Sequence, residues 1–176
     1  MRKTKFDKNK GILFWITGLS GSGKTTLANK IEYFLSKKYG PFLNLSGDEL
    51  RSIFNYNKFD KKSRYKYALT YSKFCKILVN RNINVIFSTV SLFHKIRKWN
   101  KKNIKNYAEV YIESDINKLI QKKRKKFYKM KLKNIVGKNI KAELPNKPNI
   151  KITNNFIKTT NQLKLELIDK IKNYYF

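Results

Sequence analysis

One cysteine and one histidine are all that 176 residues offer of the two side chains most used to bind transition metals, so no His/Cys metal cluster can be assembled. Cys75 has no partner for an internal disulfide, which makes a reducing cytoplasm the expected compartment. Its apolar surroundings on a predicted helix mark it as a packing residue rather than a nucleophile. His94 is expected at the surface, and no nucleophile–base triad is available. No run is long and apolar enough to cross a bilayer. The N-terminal stretch 1–5 is basic through Arg2, Lys3 and Lys5, but the apolar run that follows carries no cleavage signal. Internal repeats and linkers are also missing, so residues 1–176 are read as one domain.

Acidic residues are scarce too, 11 against 41 lysines and arginines, for a net charge of +30. A charge of that size suggests an anionic partner such as nucleic acid. Two features weaken this reading. The lysines are spread along the whole chain among many asparagines and isoleucines, a bias that A·T-rich coding would produce regardless of function, and many fall on outer helix faces. Nucleic acid is therefore not expected as the main partner, whereas attraction of anionic nucleotides is.

What is present is concentrated at 18–25, where Gly18, Leu19, Ser20, Gly21, Ser22, Gly23, Lys24 and Thr25 match the phosphate-loop pattern G-x-x-x-x-G-K-[ST]. The context fits. Residues 12–17 form a continuously apolar run, as a buried parallel strand requires. Leu27, Ala28, Ile31, Phe34 and Leu35 then follow at amphipathic-helix spacing. Such a loop turns backbone N–H groups toward phosphate oxygens at a helix N-terminus. Lys24 is expected to reach the β- and γ-phosphates of ATP, and the Thr25 hydroxyl to ligate Mg²⁺.

The rest alternates strand and helix, predicting an α/β fold: a three-layer sandwich around a mainly parallel, five-stranded sheet. Strands are expected at 42–45, 85–89, 110–112 and 150–152. Helices are expected to follow, with Asp48 capping one through Phe54 and a long one from Ser63 to Arg81 carrying Tyr67, Tyr71, Phe74, Ile77 and Leu78 on its apolar side. Ser91 and Asp115 are expected to cap two more, and a last helix contains Leu163, Leu167, Ile168 and Ile171. Between about 122 and 148 the pattern breaks into a lysine-rich, irregular segment, read as a lid.

Ligands on such sheets bind beyond the carboxyl ends of the strands. That selects Asp48 and Arg51, residues 88–91, and the stretch 113–115. Asp48 either orients Mg²⁺ through water, accepts a proton from an acceptor hydroxyl, or merely caps its helix. Arg51 either grips a phosphate or is solvated. Glu113 reads as a helix-start residue. Lid residues such as Lys122, Arg124 and Lys125 either neutralise transferring phosphates or form a solvated face.

The phosphate loop through Thr26 and the run GDELR at 47–51 resemble the adenylylsulfate kinases, and the similarity extends through Phe59, Arg64, residues 86–91, Gly137, Glu143 and Pro145. The resemblance implies a P-loop kinase, commonly dimeric, that moves the γ-phosphate of ATP to the 3′-hydroxyl of adenosine 5′-phosphosulfate. It implies Asp48 beside the reacting hydroxyl and Arg51 and Arg64 on the acceptor nucleotide. Departures gather on the acceptor side: Tyr67 stands for an asparagine, Ser91 is followed by Leu92, Phe93 and His94 in place of proline, tyrosine and arginine, and Ile135 replaces an adenine-stacking phenylalanine, although Phe59 is kept. Loss of half an aromatic sandwich suggests another acceptor as the alternative, and a relative of this kind phosphorylates cytidine diphosphoramidate in capsule synthesis. The family's usual acceptor, adenosine 5′-phosphosulfate, stays the main expectation because such substitutions can compensate.

Overall fold

The computed structural model describes residues 6, 7, 9–122 and 134–175. Among the described residues the elements follow one another as β1 (Leu13–Gly18), α1 (Lys24–Tyr39), β2 (Phe42–Ser46), α2 (Gly47–Ile53), α3 (Lys61–Asn80), β3 (Asn84–Thr89), α4 (His94–Asn103), β4 (Tyr107–Glu113), α5 (Ile116–Gln121), β5 (Ile150–Thr153) and α6 (Thr160–Tyr175). The strands form one parallel sheet in the order β2-β3-β1-β4-β5, with Phe14 facing Ile86 and Trp15 facing Phe87. All five expected strands are present.

Because side chains alternate across a strand, β1 divides its bulk between two cores. Phe14 and Ile16 join Ile86, Val110 and Ile112 beneath α1 and α6. Leu13 and Trp15 join Val85 and Phe87 beneath α3 and α4. Each such fully buried side chain contributes roughly 1.5–3 kcal/mol of transfer free energy, and β1 is buried along its whole length. The strand feeding the glycine loop is thus held from both sides, which gives the loop a fixed base.

The structure revises several expected boundaries. The cap of α2 is Ser46, whose hydroxyl accepts from Glu49 N–H while the Glu49 carboxylate accepts from Ser46 N–H, a complete capping box. Asp48 is therefore no cap. Helix α3 begins earlier than Ser63, since Asp60 caps it by accepting from Ser63 N–H, and Ile77 lies on its exposed side while Ala68, Tyr71, Cys75 and Val79 are buried. Ser91 does not cap α4; the Glu143 carboxylate accepts from His94 N–H at 2.6 Å in its stead. Asp115 caps α5 as expected. Glu113 ends β4 rather than starting a helix, and its carboxylate pairs with Lys151 at 2.8 Å. The irregular stretch from 134 onward is pinned to the body: Ile135, Val136 and Ile140 pack against Leu19, Leu92, Tyr111 and Leu119. Lid residues 123–133 lie outside the described residues.

Candidate active site

Beyond the carboxyl ends of the central strands opens a cavity of about 870 Å³. The phosphate loop forms one wall, contributing Ser20, Gly21, Gly23, Lys24, Thr25 and Thr26. Gly23 holds φ +95°, a left-handed conformation that glycine adopts without a Cβ clash, and α1 starts immediately after it. Lys24 Nζ donates to Leu19 O at 2.8 Å, folding the lysine back over the loop. Gly18 closes β1, while the side chains of Leu19 and Ser22 are buried and leave the cavity to the backbone of the loop. The exposed Thr25 hydroxyl lies 3.2 Å from Ser88 Oγ at the end of β3. Two hydroxyls beside a phosphate cradle suit Mg²⁺, which takes oxygen ligands and keeps several waters. Among the described residues no group of three or more His, Cys, Asp or Glu side chains could hold a metal by itself.

The second wall begins at α2. A Cβ on Gly47 would lie 2.7 Å from Thr89 Oγ1, so glycine lets the start of α2 press against the end of β3. That contact delivers Asp48 and Arg51 to the cavity as an ion pair at 3.1 Å. The Asp48 side chain is 81% exposed, free to meet a ligand. Phe59 lies near both arginines, with the Arg51 guanidinium 5.0 Å and that of Arg64 5.4 Å from its ring centre. Arg64 donates from Nε to Phe59 O at 2.7 Å and from Nη2 to Asn134 O at 3.0 Å, tying α3 to the 134 segment. Burial, and then the nearby charge of Arg51, lower the Arg64 pKa below the ordinary arginine range. An anion placed between these guanidiniums would relieve that strain.

Tyr67 reaches the cavity with its ring stacked on Tyr56, centres 3.9 Å apart and planes within 8°. Ser91 and Ile135 also line it, both almost fully buried. Phe93 is not part of the lining: its ring is buried in the core, edge-on to Tyr65. Lys122 is exposed after α5 and off the cavity lining, and Arg124 and Lys125 lie outside the described residues. Tyr71, read from the sequence only as a core residue, also lines the cavity, donating to Gly47 O at 3.4 Å, and burial pushes its hydroxyl up to about 12. Its spacing of four from Tyr67 on one helix was the available signal. Lys58, the residue before Phe59, adds another cation to the lining.

A model of the adenylylsulphate kinase family matches residues 10–153 of this chain. The chain is 38% identical over 167 residues to a cytidine diphosphoramidate kinase of Campylobacter jejuni, a match covering 93% of this chain and 97% of that protein. It is 31% identical over 175 residues to an adenylyl-sulfate kinase of Clostridium kluyveri, covering 96% of this chain and 87% of that one. Its fold matches the Mycobacterium tuberculosis APS kinase CysC in complex with AMPPNP and APS, with a TM-score of 0.80 at 22% identity over 93% of this chain and 98% of that one.

Proposed function

Because the chain belongs to the adenylylsulphate kinase family of P-loop kinases, we propose that it transfers the γ-phosphate of ATP to the 3′-hydroxyl of a cytidine nucleotide, cytidine diphosphoramidate in particular. The observation that carries the choice of acceptor is the 38% identity to a cytidine diphosphoramidate kinase along nearly the whole of both chains. The cavity agrees with a small base. Phe59 keeps one aromatic face near the arginines, while Ile135 supplies an aliphatic contact. Tyr67, stacked on Tyr56, adds a further ring to the lining. Stacking on a single ring is worth about 1–3 kcal/mol per base, so removing a second ring shifts preference without abolishing binding.

The chemistry needs little more than positioning and charge. The loop amides and Lys24 hold the triphosphate, with Thr25 and Ser88 ready to hold Mg²⁺, which when bound neutralises charge on the phosphate oxygens. Arg51, Arg64 and Lys58 grip the acceptor's two phosphorus groups. Asp48 takes the proton from the 3′-hydroxyl as the new O–P bond forms and the bond to the departing ADP breaks. The acceptor displaces Arg51 from Asp48, which leaves the carboxylate free to act as base.

Phosphorus NMR of products from ATP with cytidine diphosphoramidate or adenosine 5′-phosphosulfate tests the assignment. A 3′-phosphate is expected on the cytidine compound, with the adenosine compound a poor acceptor. The reverse preference would assign the family's usual substrate, and turnover of neither would remove the nucleotide 3′-kinase reading.

A further inference from the structure

A phosphate loop has carbonyls as well as amides, and any carbonyl turned inward would repel the oxygens the amides must hold. Two of these carbonyls are occupied from within. Leu19 O accepts from Lys24 Nζ at 2.8 Å and from Ser22 N–H at 3.2 Å, and Gly23 O accepts from Leu27 N–H at 2.9 Å in the first turn of α1. Ser22 O is served from outside. Its donor is Nδ2 of Asn154, at 2.9 Å, a residue 132 positions later and just past β5.

Asn154 is itself fixed. It is 5% exposed, its N–H donates to Glu113 O at 2.8 Å, and its Oδ1 accepts from Phe156 N–H at 3.1 Å. Because Oδ1 meets a donor, the amide has only one orientation that satisfies both ends, with Nδ2 toward the loop. In a trans peptide the C=O and the following N–H point opposite ways, and the described chain has no cis peptide bond. Drawing Ser22 O toward Asn154 therefore turns Gly23 N–H the other way, into the cavity that Gly23 lines. Glycine is the residue least able to hold that orientation by itself.

We infer that Asn154 is a positioning residue for the phosphate donor, aiming the Gly23 amide at the triphosphate from the far edge of the sheet. This goes beyond the acceptor assignment and depends only on ATP occupying the loop. The test is calorimetric binding of AMPPNP to the full chain, with steady-state KM values for ATP and for the acceptor. Asn154→Ala is expected to weaken AMPPNP binding about five- to tenfold, the worth of one net hydrogen bond to the backbone. The KM for ATP should rise in parallel while the acceptor KM holds. Asn154→Asp keeps the shape but loses the donor, so it should fail to restore binding, and its matched volume keeps the test available if the alanine variant folds poorly. AMPPNP affinity equal to the unsubstituted protein in either variant would overturn the inference, as would equal rises in both KM values. If the unsubstituted chain binds AMPPNP but phosphorylates no cytidine nucleotide, the acceptor assignment falls and Asn154 is still tested.

Discussion

Asp48 and Arg51 face each other one helical turn apart at 3.1 Å, in a pair exposed enough for an incoming nucleotide to part it. The helix they sit on does not depend on Asp48, since Ser46 and Glu49 supply the cap. Replacing Asp48 with Asn should therefore leave the melting temperature unchanged while kcat falls about 10²–10⁴-fold, the usual worth of a general base. Full turnover would exclude it from the proton transfer. A second carboxylate behaves oppositely. Glu109, on β4 beneath α4, is pushed up to about 7 by burial, against the pull of Arg97 at 3.1 Å and of Lys101. Its ordinary value is 4.5, so the folded chain holds a proton that the unfolded chain has released. The stability this contributes is complete below about 4.5 and is lost as pH rises through about 7. Thermal melts at pH 5 and pH 8 should show that loss, and Glu109→Gln should flatten the difference. A pH slope unchanged by the substitution would mean that Glu109 does not titrate in this range.

At the scale of elements, the site is made where strands end and helices begin, and most of that was readable in advance. The loop between β1 and α1 shows itself by the glycine pattern of a phosphate cradle between a strand and a helix, and Asp48 stands out because acids are rare. Less legible were contacts closed by distant residues. Ser91 looks like a cap for α4 from its neighbours alone, yet the chain brings Glu143, 49 positions from His94, to that helix end. The Glu143 N–H also donates to Leu92 O at 3.0 Å, so one residue fastens the 134–145 stretch to the 88–93 loop. Both lend residues to the cavity, Ile135 and Val136 from one and Ser91 from the other. The burial of Phe93 has a related cause: whether a ring after a strand turns in or out depends on what α3 places against it, here Tyr65. The Glu143 contact predicts that Glu143→Ala raises the acceptor KM several-fold and costs about 1 kcal/mol of stability, as cap removal does. Glu143→Gln, whose amide oxygen still accepts from His94 N–H, should restore most of both. Equal losses in the two variants would assign the effect to charge rather than to capping.

Across the whole molecule the positive charge has two readings that differ in how they respond to salt. At +30 the chain sits in a field that attracts any anion. The cavity concentrates that field, since among the described residues Lys24, Arg51, Lys58 and Arg64 line it against the carboxylate of Asp48. A small nucleotide carries a few charges, and of the cations that line the cavity Lys24 is buried and Arg51 and Arg64 are half-buried, where screening is weaker than at the exposed Lys58. Only its approach should then be salt-sensitive. Raising ionic strength from 50 to 300 mM is expected to increase the KM values for both nucleotides a few-fold and leave kcat nearly constant. Nucleic acid bound along the surface would respond far more steeply, because each neutralised phosphate releases counterions and affinity falls about 10³–10⁵-fold over a comparable range when six to ten are engaged. Measuring the two slopes side by side, nucleotide KM by coupled assay and duplex or single-strand binding by fluorescence anisotropy, separates a kinase with a basic surface from a nucleic-acid binder. Tight polynucleotide binding that persists at 150 mM salt and competes with ATP would mean that the surface charge has a partner of its own. Weak, salt-abolished binding beside near-constant kcat would leave it as the field that draws anionic substrates toward the loop.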